Sequence, residues 1–199
     1  YGLYLRRISK GEIRQNPLSW LMFSYGTGLL LITEAAAGAN WLLLCLPAAC
    51  ASASIWVALV SRSDLNRHFS LSDRIAFAVD VALTVVFICT SIARAVGLLG
   101  GPAFLAGNVV ILIASNLTTI TSFAPIIRST FIDPSRESAT PWLVWVAAYS
   151  TLLGLTILHR APAYLWIYPA LNMGLHGAVG ALSLRARWQP GFTSGGPAK

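Results

Sequence analysis

The sequence predicts an all-α polytopic membrane protein in which two three-helix bundles are joined by a linker helix. Three observations support this fold class: the composition is strongly apolar, the apolar runs are long, and the two ends of the chain share an internal repeat. Of 199 residues, 56% are hydrophobic and 11% are charged, with a mean hydropathy of +0.67. Soluble domains carry about 25% charged residues. Lipid is therefore the expected solvent for most of the surface.

Six apolar segments reach the length of about 20 residues that a membrane-spanning helix needs. Pro17 opens the first, at a helix position where the missing amide hydrogen is tolerated. Gly100-Gly101-Pro102 separates the third from the fourth, because the uncharged stretch 95–127 is too long for one span. In chain order, the predicted spans are residues 17–36, 40–61, 74–96, 102–127, 141–158 and 162–184.

Residues 10–62 and 132–185 repeat one order of residue types. Each copy passes from a glutamate through a proline, a tryptophan and a tyrosine to a second proline and a closing arginine. Such repeats in apolar chains are typical of transporters whose sites lie between two similar halves. The pairs are Glu12 and Glu137, Pro17 and Pro141, Trp20 and Trp145, Tyr25 and Tyr149, Pro47 and Pro169, and Arg62 and Arg185.

The repeat divides the chain into four parts. Residues 1–61 form the predicted first bundle, 62–99 an inner loop and the linker helix, 100–184 the second bundle, and 185–199 a disordered cytoplasmic tail. By analogy with the end of the fourth span, residues 1–5 are expected to be the last turn of a helix whose body is absent. A short soluble or interfacial start is the alternative. With that helix the plan is three-one-three, and six of its spans are seen here.

Basic residues orient the predicted spans. With residues 1–16 in the cytoplasm and six crossings, twelve of the fourteen Lys and Arg residues fall inside, and only Arg94 and Arg160 fall outside. Orientation thus explains the net charge of +7 better than nucleic-acid binding does, since no basic cluster is interleaved with aromatic residues. We expect an integral protein of the bacterial inner membrane with a cytoplasmic C-terminus.

The second half of the chain resembles the PQ-loop superfamily, which includes the SWEET sugar transporters. The resemblance implies the three-one-three plan, the same orientation and transport of a small polar solute. Ile126 stands where the superfamily has glutamine, and Ala170 where SWEETs have asparagine. The matching residues are Ser122-Phe123-Ala124-Pro125-Ile126-Ile127-Arg128, Ser135, Glu137, Pro141, Trp145, Tyr149, Tyr168-Pro169 and Asn172.

A shorter stretch is similar to a second family. Trp142-Leu143-Val144-Trp145 matches the WxxW of PnuC vitamin transporters, which share the three-one-three plan but run the opposite way through the membrane. The solute class that the two resemblances imply is therefore sugar-like or vitamin-like.

Polar side chains inside the predicted spans are candidates for a solute site, because such groups are costly in lipid. Asn172 and His176 lie four residues apart and share one helix face. For this pair the alternatives are solute binding, with a proton relay at His176 as a further option, and packing as a satisfied pair. The fourth span holds the densest polar set, which is Asn108, Ser115, Asn116, Thr119 and Ser122. For this set the alternatives are solute binding and hydrogen bonding between neighbouring helices.

Aromatic residues and prolines supply the remaining candidates. Trp20 and Trp145 occupy equivalent positions in the repeat, where they either stack on a ring-shaped solute or belong to an aromatic belt at the interface. Pro47, Pro125 and Pro169 each remove a backbone hydrogen bond, and are either hinges for alternating access or static kinks.

One acid lies deep in the third span. Asp80 stands about six residues inside it, where pairing with Arg74, reaching towards the inner surface and proton coupling are the alternatives. The chain has no nucleophile elbow, phosphate loop or HExxH motif, and its cysteines form no CxxC pair. No catalytic residue, metal site or cofactor is predicted.

Two functions follow from the sequence. The first is a transporter of a small polar solute, with Asn172, His176, Trp20, Trp145, Asn116 and Thr119 at its site. The second is a non-transporting accessory subunit packed in a larger membrane complex. The expected partners are the lipid bilayer and either the solute or other membrane subunits; oligomerisation is left open.

Overall fold

The computed structural model describes residues 1–11, 13, 17–60 and 71–185. Glu12, Arg62 and the predicted tail beyond Arg185 lie outside the described residues. Within the described ranges the chain is all-helical, as predicted, with no strand. The helices are α1 (Gly2–Ser9), α2 (Pro17–Ala36), α3 (Trp41–Val60), α4 (Leu71–Ala95), α5 (Gly101–Ile132), α6 (Ala139–Leu158) and α7 (Ile167–Leu184), with short 3-10 helices at Pro134–Arg136 and Ala163–Trp166.

Four of the described helices are long and apolar enough to cross a membrane. They comprise all of α3, α5 and α6, and residues Phe77–Ala95 of α4. Their large exposed side chains are mostly aliphatic, as expected of a surface in contact with lipid.

Two glycines end helices where the sequence predicted breaks. Gly38 follows α2 and Gly97 follows α4, with φ of +84° and +78°. This left-handed conformation is common just after a helix and costs glycine little, so the connections to α3 and α5 stay short.

Two predicted helix ends differ from the structure. The fourth span was expected to end at residue 127, but α5 continues through Pro125 to Ile132. The sixth was expected as one helix from residue 162, but it begins with the 3-10 helix and becomes α-helical at Ile167. Pro169 therefore lies in the first turn of α7 rather than within a long helix.

The helices pack as two close pairs joined through α5. The first pair is α2 with α3 and the second is α6 with α7. Helix α5 contacts both α2 and α7, and α4 lies mainly along α5. The buried core runs along the seam between the pairs, where aromatic residues from both halves meet.

Candidate functional site

Four aromatic side chains pack together where α1, α2 and α6 meet. The ring centroids of Trp20 and Trp145 are 6.0 Å apart, and the Tyr4 centroid is 5.0 Å from Trp20 and 5.4 Å from Trp145. Trp142 packs edge-on against Trp145 at 4.9 Å. All four are buried, and tilted or edge-on contacts of this kind are favourable between aromatic rings. We call Tyr4, Trp20, Trp142 and Trp145 the aromatic cluster.

The carboxylate of Glu137 ties the aromatic cluster to the connection between α5 and α6. Tyr4 Oη donates to Oε1 at 3.2 Å, and Trp142 Nε1 donates to Oε2 at 3.0 Å. Glu137 lies outside the membrane-spanning helices, yet it is buried. Burial raises its pKa from 4.5 to about 7, against the opposing effect of these two hydrogen bonds and of the Arg136 charge. The side chain is therefore poised to change charge near neutral pH.

A small cavity adjoins the aromatic cluster, between the α2–α3 pair and the α6–α7 pair. Its volume is about 20 Å³, which is room for roughly one water molecule. Its polar wall includes Ser54, Thr119, Ser122, Asn172 and His176, and no Lys, Arg, Asp or Glu among the described residues lines it. Its aromatic wall includes Trp20, Phe23, Phe123, Trp142 and Tyr149.

Asn172 and His176 present one helix face to the cavity, as their spacing predicted. Asn172 Nδ2 donates to the Tyr168 carbonyl at 3.0 Å, and His176 Nδ1 lies 2.8 Å from the Asn172 carbonyl. Because a carbonyl only accepts, Nδ1 must carry the hydrogen, and in the neutral ring Nε2 is then an acceptor. The His176 ring lies 4.9 Å from Tyr149 and 5.3 Å from Trp145 between centroids. The pair thus offers fixed polar atoms in an aromatic surround.

A row of polar atoms crosses the seam beside the cavity. Cys50 Sγ of α3 lies 3.3 Å from Tyr149 Oη of α6, which lies 3.1 Å from Tyr168 Oη of α7. Cys50 follows Pro47 by three residues, as Asn172 follows Pro169, and both line the cavity. The two halves therefore place corresponding residues on one wall.

Most of the predicted solute-site residues come together, but not all. Trp20, Thr119, Asn172 and His176 line the cavity, whereas Trp145 does not line it but packs against the His176 ring. Asn116 does not line it: its Nδ2 donates to the Leu112 carbonyl of the same helix at 2.9 Å.

The polar face of α5 serves two purposes. Thr119 and Ser122 reach the cavity. Asn108 instead bonds a neighbouring helix, because its Nδ2 donates to the Thr33 carbonyl of α2 at 2.8 Å. The polar set is therefore divided between side chains that line the cavity and one that bonds a neighbouring helix.

The predicted hinges differ in position. Pro47 lies inside α3 and Pro125 inside α5, so each interrupts the hydrogen bonding of its helix. Pro169 lies at the junction between a 3-10 helix and α7, where the hydrogen-bond pattern changes in any case.

Several site residues were not singled out by the sequence. Trp142 and Tyr149 lie three residues before and four residues after the predicted Trp145, which places them on the same face of α6, and this periodicity was available as a signal. Tyr4 and Glu137 carried no such signal, because their roles arise from contact between distant parts of the chain.

Comparison of the chain with protein families, with curated proteins and with solved structures finds no match.

Proposed function

We propose that this chain is a membrane transporter of a small, uncharged polar solute that works by alternating access between two three-helix repeats in a SWEET-like arrangement. The observation that carries the proposal is the cavity at the seam, whose wall combines residues from both halves of the repeat. Substrate sites of transporters built from repeats lie at such interfaces.

The proposed topology has six spans. Helices α2 and α7 contain 20 and 18 residues. At a rise of about 1.5 Å per residue they measure roughly 30 and 27 Å, close to the thickness of a bilayer core. Both pack along helices that are apolar enough to span. In this arrangement the α5–α6 connection and Glu137 face the cytoplasm, and α4 links the two bundles.

Corresponding residues of the two repeats meet at the proposed site. Trp20 and Trp145 contact each other, and Cys50 and Asn172 share the cavity wall. A pseudo-two-fold relation between the bundles accounts for both pairings. It also supports a parallel repeat, because one linker helix between two three-helix bundles gives both bundles the same orientation in the membrane.

The small volume of the cavity fits one state of an alternating-access cycle. The aromatic cluster packs at one end of the cavity. The row of polar atoms from Cys50 to Tyr168 crosses the seam beside the cavity. A space for about one water admits no sugar-sized molecule, so a solute enters only when the halves separate. Pro47 and Pro125, which weaken α3 and α5 internally, are the proposed bending points.

The wall chemistry defines the proposed solute. Hydroxyl and amide groups provide donors and acceptors for hydroxyls or amides, while the indole and phenol rings stack on flat or ring-shaped molecules. An ionic solute would lack a charged partner among the described lining residues. A neutral sugar-like or vitamin-like molecule therefore fits best.

The alternative proposal is an accessory subunit in a larger membrane complex. The small volume of the cavity favours it, since a subunit without transport activity needs no solute space. The apolar surface of α4 would then contact partner subunits instead of lipid.

Uptake into proteoliposomes separates the two proposals. Purified protein should take up at least one member of a panel of sugars, nucleosides and small vitamins, whereas protein-free liposomes should not. Well-folded protein that transports nothing, and that co-purifies with a stoichiometric membrane partner, would support the subunit proposal and contradict transport.

A further inference from the structure

The linker helix α4 buries an acid rather than an apolar side chain. Between Phe77 and Ala95, Asp80 is the one described residue whose side chain is buried, at 1% exposure. Its neighbours Val79 and Val81 are 41% and 39% exposed. In a membrane-spanning helix the apolar side chains face lipid, whereas an acid is rare and almost always faces the interior of the protein. Asp80 has that inward position within a segment apolar enough to span a membrane.

Asp80 lies where α4 meets both α2 and α5. Its carboxylate faces Thr118 of α5, whose hydroxyl donates to the Ser115 carbonyl at 2.8 Å instead. One turn further along α4, Thr84 Oγ1 donates to the main-chain carbonyl of Asp80 at 2.9 Å. Since that bond uses the single hydroxyl hydrogen of Thr84, Tyr25 Oη of α2 must be the donor in its 2.6 Å contact with Thr84 Oγ1. The linker is thus bonded to α2 beside the point where its acid faces α5.

The Asp80 carboxylate has no compensating partner in the part of the chain that the structure describes. Neither oxygen accepts a hydrogen bond there. Arg74, expected from the sequence as an ion-pair partner, is exposed and makes no bond to it. The described titratable or charged residues on the helices around it are Tyr25 and Glu34 of α2, Arg128 of α5, and Arg74, Cys89 and Arg94 of α4 itself, and none of them bonds Asp80.

We propose that Asp80 is a proton-binding site, which holds a proton in this closed conformation and exchanges it with water when the two halves separate. An ionised carboxylate buried without partners is strongly unfavourable, and a bound proton removes the charge without further ligands. A metal cation would need several oxygen ligands, and the described residues contain no group of three or more His, Cys, Asp or Glu side chains that could hold one. Acids inside transmembrane segments commonly mark proton pathways.

This site has a defined place in the proposed transport cycle, and in that respect it rests on the proposed function. Movement of α2 against α5 would pull α4 through the Tyr25–Thr84 contact and open the Asp80–Thr118 contact to water. The carboxyl O–H bond would break there, releasing the proton to water on that side, and would re-form with a proton from water before the halves close. Solute transport would thereby be coupled to a proton gradient.

Infrared spectroscopy of the protein in lipid tests proton binding without any transport. At neutral pH the wild type should show the carbonyl band of a protonated carboxylic acid that Asp80→Asn lacks. Glu34→Gln, which alters another buried acid on the neighbouring helix α2, is the matched control and should retain the Asp80 band. Identical carboxylic-acid bands in wild type and Asp80→Asn would overturn the proton site.

Transport under a pH gradient tests the coupling. Asp80→Asn mimics the protonated form, so it should keep exchange of labelled for unlabelled solute and lose accumulation above equal concentrations. Gradient-driven accumulation that matches the wild type would overturn the coupling. If the wild type transports nothing, the proposed function fails, and the infrared band still decides whether Asp80 binds a proton.

Discussion

At the residue scale, Asn172 and Asn116 form a natural test pair. Both are buried amides, but only Asn172 lines the cavity. Asn172→Ala should weaken the affinity for a transported solute about ten- to a hundredfold, because a lost hydrogen bond in a desolvated site costs roughly 1–3 kcal/mol. Concentration-dependent uptake measures the change.

Asn116→Ala is the control for that prediction. Asn116 does not line the cavity, so solute affinity should stay close to the wild-type value. Thermal unfolding of both variants checks that each remains folded. Equal losses of affinity in the two variants would refute a solute site at Asn172.

Glu137 gives the protein a predicted pH dependence. Its folded-state pKa of about 7 exceeds the ordinary 4.5, so the folded chain retains a proton that the unfolded chain releases. The stability due to this proton is fully present below pH 4.5, is lost as the pH rises through about 7, and changes little above that. The loss is roughly 3 kcal/mol in the free energy of unfolding.

The free energy of unfolding of the detergent-solubilised protein, measured between pH 4.5 and 8, gives this pH dependence as a slope, and Glu137→Gln is the test variant. Glutamine cannot ionise, so the slope should flatten. Its side-chain oxygen can still accept the hydrogen bond from Trp142 Nε1. Asp133→Asn, which changes a more accessible acid in the same connection, should leave the slope in place. An unchanged slope in Glu137→Gln would show that another group causes it.

The sequence predicted individual site residues where one helix face decides their position. Asn172 and His176 share a face by spacing alone, and Thr119 follows from the polar face of α5. Asn116 was wrongly grouped with them, because adjacent helix residues point about 100° apart and the sequence does not say how α5 is rotated. Glu137 was not foreseen as a site residue, since its burial depends on Tyr4 from the other end of the chain.

At the element scale, apolar length and the opening prolines predicted the helices well, but the C-terminal end of α5 was predicted too early. Helix α2 has the predicted bounds, and α3 and α6 differ from theirs by one or two residues. Pro125 was taken to lie near the end of a span, yet α5 continues for seven residues beyond it. A proline removes one hydrogen bond, which a helix packed on both sides tolerates. Helix α5 ends instead just before Asp133, which is extended and directly precedes Pro134.

The orientation of these elements in the membrane is a separate prediction. Ser135 is exposed between α5 and α6, and Leu98 is 83% exposed between α4 and α5. In a background lacking the exposed Cys45 and Cys89, Ser135→Cys should react with a membrane-impermeant thiol reagent only from the cytoplasmic side. Leu98→Cys should react only from the outside, as the distribution of basic residues implies. Reaction of both positions from one side would contradict the topology.

At the scale of the whole molecule, the repeat predicted that the two halves share a site but not each pairing within it. Trp20 and Trp145 meet as expected. Tyr25 and Tyr149 occupy corresponding places in the repeat, yet Tyr149 lines the cavity while Tyr25 bonds Thr84 of the linker. The spacing from tryptophan to tyrosine is five residues in one copy and four in the other, which turns the second residue by about 100° on its helix.

The central claim is that the two halves move against each other around the cavity, and paired spin-label distances test it most directly. One pair is Leu3 with Ile132 at the end that holds the aromatic cluster, and the other is Trp41 with Leu158 at the opposite end; all four side chains are at least half exposed. Each is replaced by labelled cysteine without the exposed Cys45 and Cys89. When a transported solute is added, one distance should lengthen while the other shortens. Distances that stay unchanged, or that change together, in protein that demonstrably transports the solute would contradict alternating access.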